Sequence, residues 1–373
     1  MRRIVIASDS FKGSLSSMEV ADAVEKGIRD VCPECDVIKV GVADGGEGTL
    51  DALCRSISGR KIVVAASDPL GRPVQAPYVV LDDGCTAVIE MAAASGLTLL
   101  GQQERNPLMT STYGTGQLIA DALDRGCRRF LVGIGGSATN DAGMGMLEAL
   151  GFRFLDQDGK QLPGRGESLE KVASIDSSSL QAGLEDAEFI VACDVDSPFC
   201  GPDGAACVFA PQKGADPEMV ERLDNGLAQF SNIIKVFTGT DVSALPGAGA
   251  AGGLGGSFVA FLGARLVPGA DMILDAAGFD RLMENADLVI TGEGRMDRQT
   301  LKGKLPYCVA QRAVIHDVPV VAICGQTDFQ DLPDFQSVSQ VTPPGTPLEQ
   351  ALDPQTASGN IRLAVRELLL KSL

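Results

Sequence analysis

Leu131–Gly145, LVGIGGSATNDAGMG, restricts the fold more than any other stretch of this chain. An apolar run from Arg129 to Ile134 reads as a buried strand and stops abruptly at Gly135-Gly136-Ser137. Thr139, Asn140 and Asp141 follow, and then the small and apolar residues Met144-Gly145-Met146-Leu147. The pattern predicts a strand, a tight glycine turn, a polar cluster and a helix start. Such a turn presents consecutive backbone N–H groups beside a helix N-terminus, which suits an anionic ligand.

The same grammar recurs towards both ends. Arg3–Ala7 is a short strand, followed by a loop carrying Asp9, Ser10, Lys12 and Ser14. A helix is expected from an N-cap at Ser17 to about Val31. A second strand, Asp36–Val42, delivers Asp44, Gly45, Gly46 and Glu47. Two carboxylates between glycines directly after a strand need a partner such as Mg²⁺ or Lys. Strand-like segments at Lys61–Ala66, Val74–Leu81 and Thr86–Met91 are joined by short turns and suggest antiparallel hairpins. Thr112-Tyr-Gly-Thr-Gly116 precedes a helix over Gln117–Arg125 and is a second candidate anion site. The chain returns to buried strands at Asp287–Ile290 and Val318–Ile323, and a last helix is expected from about Asn360 to Leu370. The fold class is therefore α/β, with a parallel-sheet Rossmann- or flavodoxin-like domain of residues 1–60 and 280–373. A second, mixed α/β domain of residues 61–279 is inserted into it.

Charge and composition narrow the function. The formal net charge of −18 argues against nucleic acid or an anionic membrane surface as a partner. A small anion then needs a locally positive site. No apolar run is long enough to span a bilayer, and the N-terminal apolar run is too short for a signal peptide, so a cytoplasmic protein is expected. The ten cysteines lack the spacing of a disulfide framework, and Cys32-Pro-Glu-Cys35 has no second pair to complete a zinc site. The single histidine, His316, lies at a helix–strand junction, which removes Ser-His-Asp triads and histidine-rich metal sites.

What remains is a set of loops rich in Gly, Ser, Thr, carboxylates and Lys. Phosphoryl transfer uses these ingredients, because its catalysis is mostly positioning and charge neutralisation. The Walker A pattern and the protein-kinase signature are both absent. A rival is a dehydrogenase of a small hydroxy acid. Gly133, Gly135 and Ala138 match G-x-G-x-x-A after a strand, and Asp156 lies about twenty residues on, as a dinucleotide fingerprint asks. A third class is a non-catalytic binder of a small acid. The run Pro246–Gly256 also contains G-x-G-x-x-G, but without a preceding strand, and reads as a packed backbone nest.

The motifs Asp9–Ser14, Ala43–Thr49, Thr112–Gly116, Gly133–Asp141, Pro211–Gly214, Pro246–Gly253 and Gly292–Thr300, in this order, resemble the type I glycerate kinase family over essentially the whole chain. Asp141-Ala142-Gly143 and Phe209-Ala210-Pro211 depart slightly from the pattern. The resemblance implies ATP- and Mg²⁺-dependent phosphorylation of D-glycerate, most often at the 2-hydroxyl, with a 3-hydroxyl-specific enzyme as the alternative. It also implies an active site in the cleft between two α/β domains. A homodimer is the candidate assembly.

On that reading Lys12 and Lys213 offset charge on glycerate or the phosphates, and Asp194, near a strand end, takes the hydroxyl proton. Ser10, Ser14, Gly45, Gly46, Thr112, Gly114 and Thr115 are candidate substrate or phosphate contacts. Gly135, Gly136, Ser137, Thr139, Asn140, Gly249, Gly252 and Gly253 complete that set. Asp44, Glu47, Glu293 and Asp297 are the candidate Mg²⁺ ligands.

Overall fold

A computed structural model describes residues 2–41, 59–329 and 332–372. Asp44, Gly45, Gly46 and Glu47 lie outside the described residues. The strands are β1 (Arg3–Ser8), β2 (Asp36–Lys39), β3 (Gly59–Ser67), β4 (Pro73–Leu81), β5 (Thr86–Glu90), β6 (Arg129–Gly133), β7 (Arg153–Leu155), β8 (Gln161–Leu162), β9 (Ser174–Asp176), β10 (Glu188–Ala192), β11 (Arg265–Val267), β12 (Leu288–Met296), β13 (Val320–Thr327) and β14 (Ser337–Gln340). The described chain divides into two compact units, one of residues 2–41 with 270–372 and one of residues 59–269.

The first unit carries a five-stranded sheet ordered β14-β13-β12-β1-β2. Every pairing in it is parallel. Numbered within the unit, the order is 2-1-3-4-5, the flavodoxin-like arrangement. The order reverses between β1 and β12. In open α/β sheets that switch point, at the carboxyl ends of the strands, is where ligands bind. The core here is aliphatic, with Ile4, Ile6, Val24, Ile290, Ile323 and Ile361 packed together.

The helix Ser17–Arg29 starts one residue earlier than the sequence suggested. Its N-cap is Ser16, which forms a capping box with Glu19. Ser17 is buried and donates to the Ser8 carbonyl at 2.8 Å, tying the helix start to the end of β1. The last helix, Pro354–Ser372, begins well before Asn360 and packs Ile361 and Val365 into the core. Polar residues in its first turn hide that start from hydrophobic periodicity. Cys32 and Cys35, given no covalent role on sequence grounds, are joined by a disulfide.

The second unit carries a six-stranded sheet ordered β11-β10-β6-β5-β4-β3. β3, β4 and β5 form the antiparallel hairpins, and β5, β6, β10 and β11 run parallel. A small antiparallel sheet, β8-β7-β9, lies apart from it. No described helix is long and apolar enough to cross a membrane.

Candidate active site

In the first unit, the chain leaving β1 crosses directly onto β12. The Asp9 N–H donates to the Gly292 carbonyl at 2.8 Å, and Ser8 Oγ donates to the same carbonyl at 3.0 Å. The loop Asp9–Ser14 therefore sits over Glu293–Asp297 at the switch point. Together they line a cavity of about 320 Å³ that also receives Lys304 and Gln326. Lys12, Ser10, Ser14, Glu293 and Asp297, scattered across almost three hundred residues of sequence, meet in this one cavity.

Glu293 anchors its floor. It is 5% exposed, and burial pushes its carboxyl up from the ordinary range against the pull of Thr300 and Lys304. Thr300 Oγ1 donates to Glu293 Oε1 at 2.6 Å, and Lys304 Nζ lies 3.3 Å from Oε2. Thr300 Oγ1 in turn accepts from the Asp297 N–H at 3.0 Å, so the two candidate metal ligands share one hydroxyl as a spacer. Ser14 Oγ is buried and makes no hydrogen bond among the described residues.

The second unit gathers the other constellation around the turn after β6. Gly135 and Gly136 are exposed at its tip, and Ser137 to Asp141 turn inward. Lys213 is 1% exposed, and its ammonium donates to Ser137 Oγ and to the Thr139 carbonyl, both at 2.7 Å. Burial pulls its pKa down to about 7, opposed by the negative charge of Asp141. Asp141 is fully buried and accepts from the Thr112 N–H and hydroxyl at 2.8 Å and from the N–H groups of Gly143 and Gly145 at 3.1 Å. Burial pushes this carboxyl up, but all four contacts are donors and fit the acceptor-only carboxylate. Beside them, both amide atoms of Asn140 and the hydroxyl of Thr139 are buried and have no hydrogen-bond partner among the described residues.

Several expected ligand contacts face inward. Thr112 serves Asp141, and Thr115 shares a 2.7 Å hydrogen bond with Ser95. A Cβ on Gly114 would lie 2.0 Å from the Ser67 carbonyl oxygen, so Gly114 admits close packing on β3. Thr112, Gly114 and Thr115 thus brace the interior of the second unit. The glycines of the 246–256 run do likewise. Gly249 N–H donates to the Ser197 carbonyl and Gly253 N–H to the Gly249 carbonyl. A Cβ on Gly252 would lie 2.2 Å from the Thr139 carbonyl oxygen. This run is the predicted packed nest, and its contacts include the 139–142 and 193–199 segments and the run itself. Lys213 also points inward, and its ammonium braces the turn.

The model of the glycerate kinase family matches residues 4–370. The chain belongs to that family. It is 47% identical to a glycerate kinase of Bacillus subtilis, over 94% of this chain and 93% of that protein. It is 46% identical to the glycerate 2-kinase of Escherichia coli, over 87% of this chain and 85% of that protein. A crystal structure of a putative glycerate kinase 2 from Salmonella typhimurium, 45% identical, superposes with a TM-score of 0.89 and covers 100% of this chain and 98% of that one.

Membership of the glycerate kinase family makes the chain an enzyme and removes the dehydrogenase reading, and the geometry explains why the fingerprint misled. Asp156 does not end a strand beside β6. It closes the β7–β8 turn, where its Oδ1 accepts from the N–H groups of Asp158 and Lys160, both at 2.9 Å. The helix after the glycine turn starts only at Met144, after Asp141 has been buried. Asp194 lies just past the end of β10 and is exposed, with Oδ1 accepting from the Gly269 N–H at 2.9 Å. Lys304 and Arg295, which line the first cavity, were missed. Their signal was present in Gly292–Lys304, where Arg295, Arg298 and Lys304 follow the glycines within eleven residues of Glu293.

Proposed function

We propose that ATP, with Mg²⁺, is the phosphoryl donor, and that the acceptor is the 2-hydroxyl of D-glycerate. The chain phosphorylates glycerate, as its family does, and the match over residues 4–370 carries that reading. The likeness to a glycerate 2-kinase supports the regiochemistry.

The donor set suits Mg²⁺. This ion usually takes one or two protein carboxylates and leaves its other positions to water and phosphate. Glu293 and Asp297 line one cavity, and no larger cluster of His, Cys, Asp or Glu is gathered among the described residues. These two carboxylates would hold the ion, which when bound draws charge off the phosphates. Lys12 lines the same cavity and offsets phosphate charge. Asp194 is the proposed base that takes the proton from the glycerate hydroxyl, so that its oxygen attacks the terminal phosphorus as ADP departs. The exposed Gly135–Gly136 turn, held by Lys213 through Ser137, offers backbone N–H groups to an anionic oxygen.

Incubation with ATP, Mg²⁺ and D-glycerate, with the product isomer identified by phosphorus NMR, tests this directly. Formation of 2-phosphoglycerate and ADP is expected. Formation of 3-phosphoglycerate would overturn the regiochemistry, and no ADP would overturn the donor.

A further inference from the structure

The cavity of the first unit has a lining of two chemical kinds. One is charged and carries Lys12, Glu293, Arg295, Asp297 and Lys304. The other is apolar and carries Phe11, Val341, Leu348 and Leu352. Phe11 and Val341 are core residues, 5% and 7% exposed, so this part of the lining is fixed by packing. Leu348 instead stands 71% exposed on the cavity's rim, at the start of the helix Leu348–Leu352. It extends to the cavity's mouth the apolar lining that Phe11, Val341 and Leu352 begin, and a mostly apolar lining with a few charged groups is what small-molecule sites present.

Of the two small molecules in the reaction, only one has an apolar face. Glycerate has three carbons, each bearing an oxygen, and nothing to place against four large hydrophobic side chains. A nucleoside triphosphate has a flat base at one end and concentrated negative charge at the other, and matches both kinds of lining. We infer that this cavity takes the nucleotide, with its base against Phe11, Val341, Leu348 and Leu352 and its phosphates towards Lys12, Arg295 and Lys304. The inference rests on the proposal that ATP is the donor, and adds which of the two constellations binds it.

Charge supports the orientation. Three cations and the carboxylates of Asp9, Glu293 and Asp297 nearly cancel within the cavity. A bare polyphosphate would therefore gain little there, whereas a polyphosphate carrying a divalent cation satisfies both sets. Topology supports it too, since the cavity lies at the switch point of a flavodoxin-like sheet, between the loops that follow β1 and end β12.

The test is the binding of the non-hydrolysable analogue AMP-PNP with Mg²⁺, measured by isothermal titration calorimetry, alongside steady-state kinetics in ATP and in D-glycerate. Leu352→Glu puts a charge on the inner lining, and Leu348→Glu does so on the exposed rim, where folding is not at risk. Both should weaken AMP-PNP binding about tenfold or more and raise the KM for ATP in parallel, with the KM for glycerate changed less than twofold. If Leu348→Glu binds AMP-PNP like the wild type, or raises the KM for glycerate alone, the assignment is wrong. If the wild type itself neither binds AMP-PNP nor releases ADP, the donor proposal fails instead, and the assignment with it.

Discussion

The ammonium of Lys213 donates to Ser137 Oγ at 2.7 Å, across 76 residues of sequence, from a position that is 1% exposed. A buried cation therefore fixes the inner side of the glycine turn whose outer side, Gly135 and Gly136, is exposed. It costs desolvation, and that cost depends on pH. Lys213 titrates at about 7 in the fold, against 10.5 ordinarily. Between those values the unfolded chain binds the extra proton, so this group's contribution to stability rises as pH rises through that window. Below about pH 7 the penalty is fully present. Lys213→Met should therefore flatten the rise in stability between pH 7 and pH 10, seen in urea denaturation at several pH values. An unchanged slope would mean that Lys213 does not titrate there.

Asp141 is expected to be structural. Asp141→Asn replaces one carboxylate oxygen with an NH₂ group that faces N–H or O–H donors. A buried donor left without an acceptor costs about 1–3 kcal/mol, and here more than one is affected. A loss of about 2 kcal/mol or more is expected in thermal or urea unfolding. A variant as stable as the wild type would show that the four donors do not need the charge.

Asp194→Asn keeps an oxygen that can accept from the Gly269 N–H, so the fold should survive. A general base contributes about 10²–10⁴ to rate. Turnover should fall by roughly a hundredfold or more, with KM values nearly unchanged. Turnover like that of the wild type would end Asp194's candidacy.

Glycine substitutions separate contact from backbone strain. Gly252 has φ +72° and its Cβ would meet the Thr139 carbonyl oxygen at 2.2 Å. Gly239 has φ +81° with nothing within 4 Å of its Cβ. Gly239→Ala should cost about 1–2 kcal/mol from the left-handed backbone alone. Gly252→Ala should cost clearly more and lower activity, because it displaces the Thr139 carbonyl that Lys213 holds. Equal losses in the two variants would refute the packing role of Gly252.

Chelation by EDTA should abolish ADP release, and added Mg²⁺ should restore it. Glu293→Gln should raise the Mg²⁺ concentration needed for half-maximal rate by about tenfold, since a carboxylate ligand becomes a neutral amide. The same variant keeps a partner for Thr300 and should melt near the wild-type temperature. A Mg²⁺ requirement unchanged by Glu293→Gln would remove Glu293 from the ligand set.

Strands β1 to β6, β10, β12 and β13 were legible because they alternate or run apolar over four to nine residues, whereas the two- and three-residue β8, β9 and β11 are too short to show a period. The glycine motifs were legible as special backbone, and family resemblance fixed the chemistry. What each motif does was not legible. Thr112-Tyr-Gly-Thr-Gly116 and the 246–256 glycines look like phosphate loops, because a nest for an anion and a close backbone packing both select glycine. The Ser67 and Thr139 carbonyls, supplied by other elements, show the close packing that Gly114 and Gly252 serve.

The sequence by itself determined that this is an α/β chain, that residues 1–60 and 280–373 share a style, and where the glycine-rich polar loops fall. Those follow from local periodicity, composition and motif order. Tertiary structure alone decided that Lys12, Glu293, Lys304 and Leu348 line one cavity, and that Lys213 and Thr112 turn inward. A side chain's neighbours depend on contacts hundreds of residues apart, and no local pattern records them.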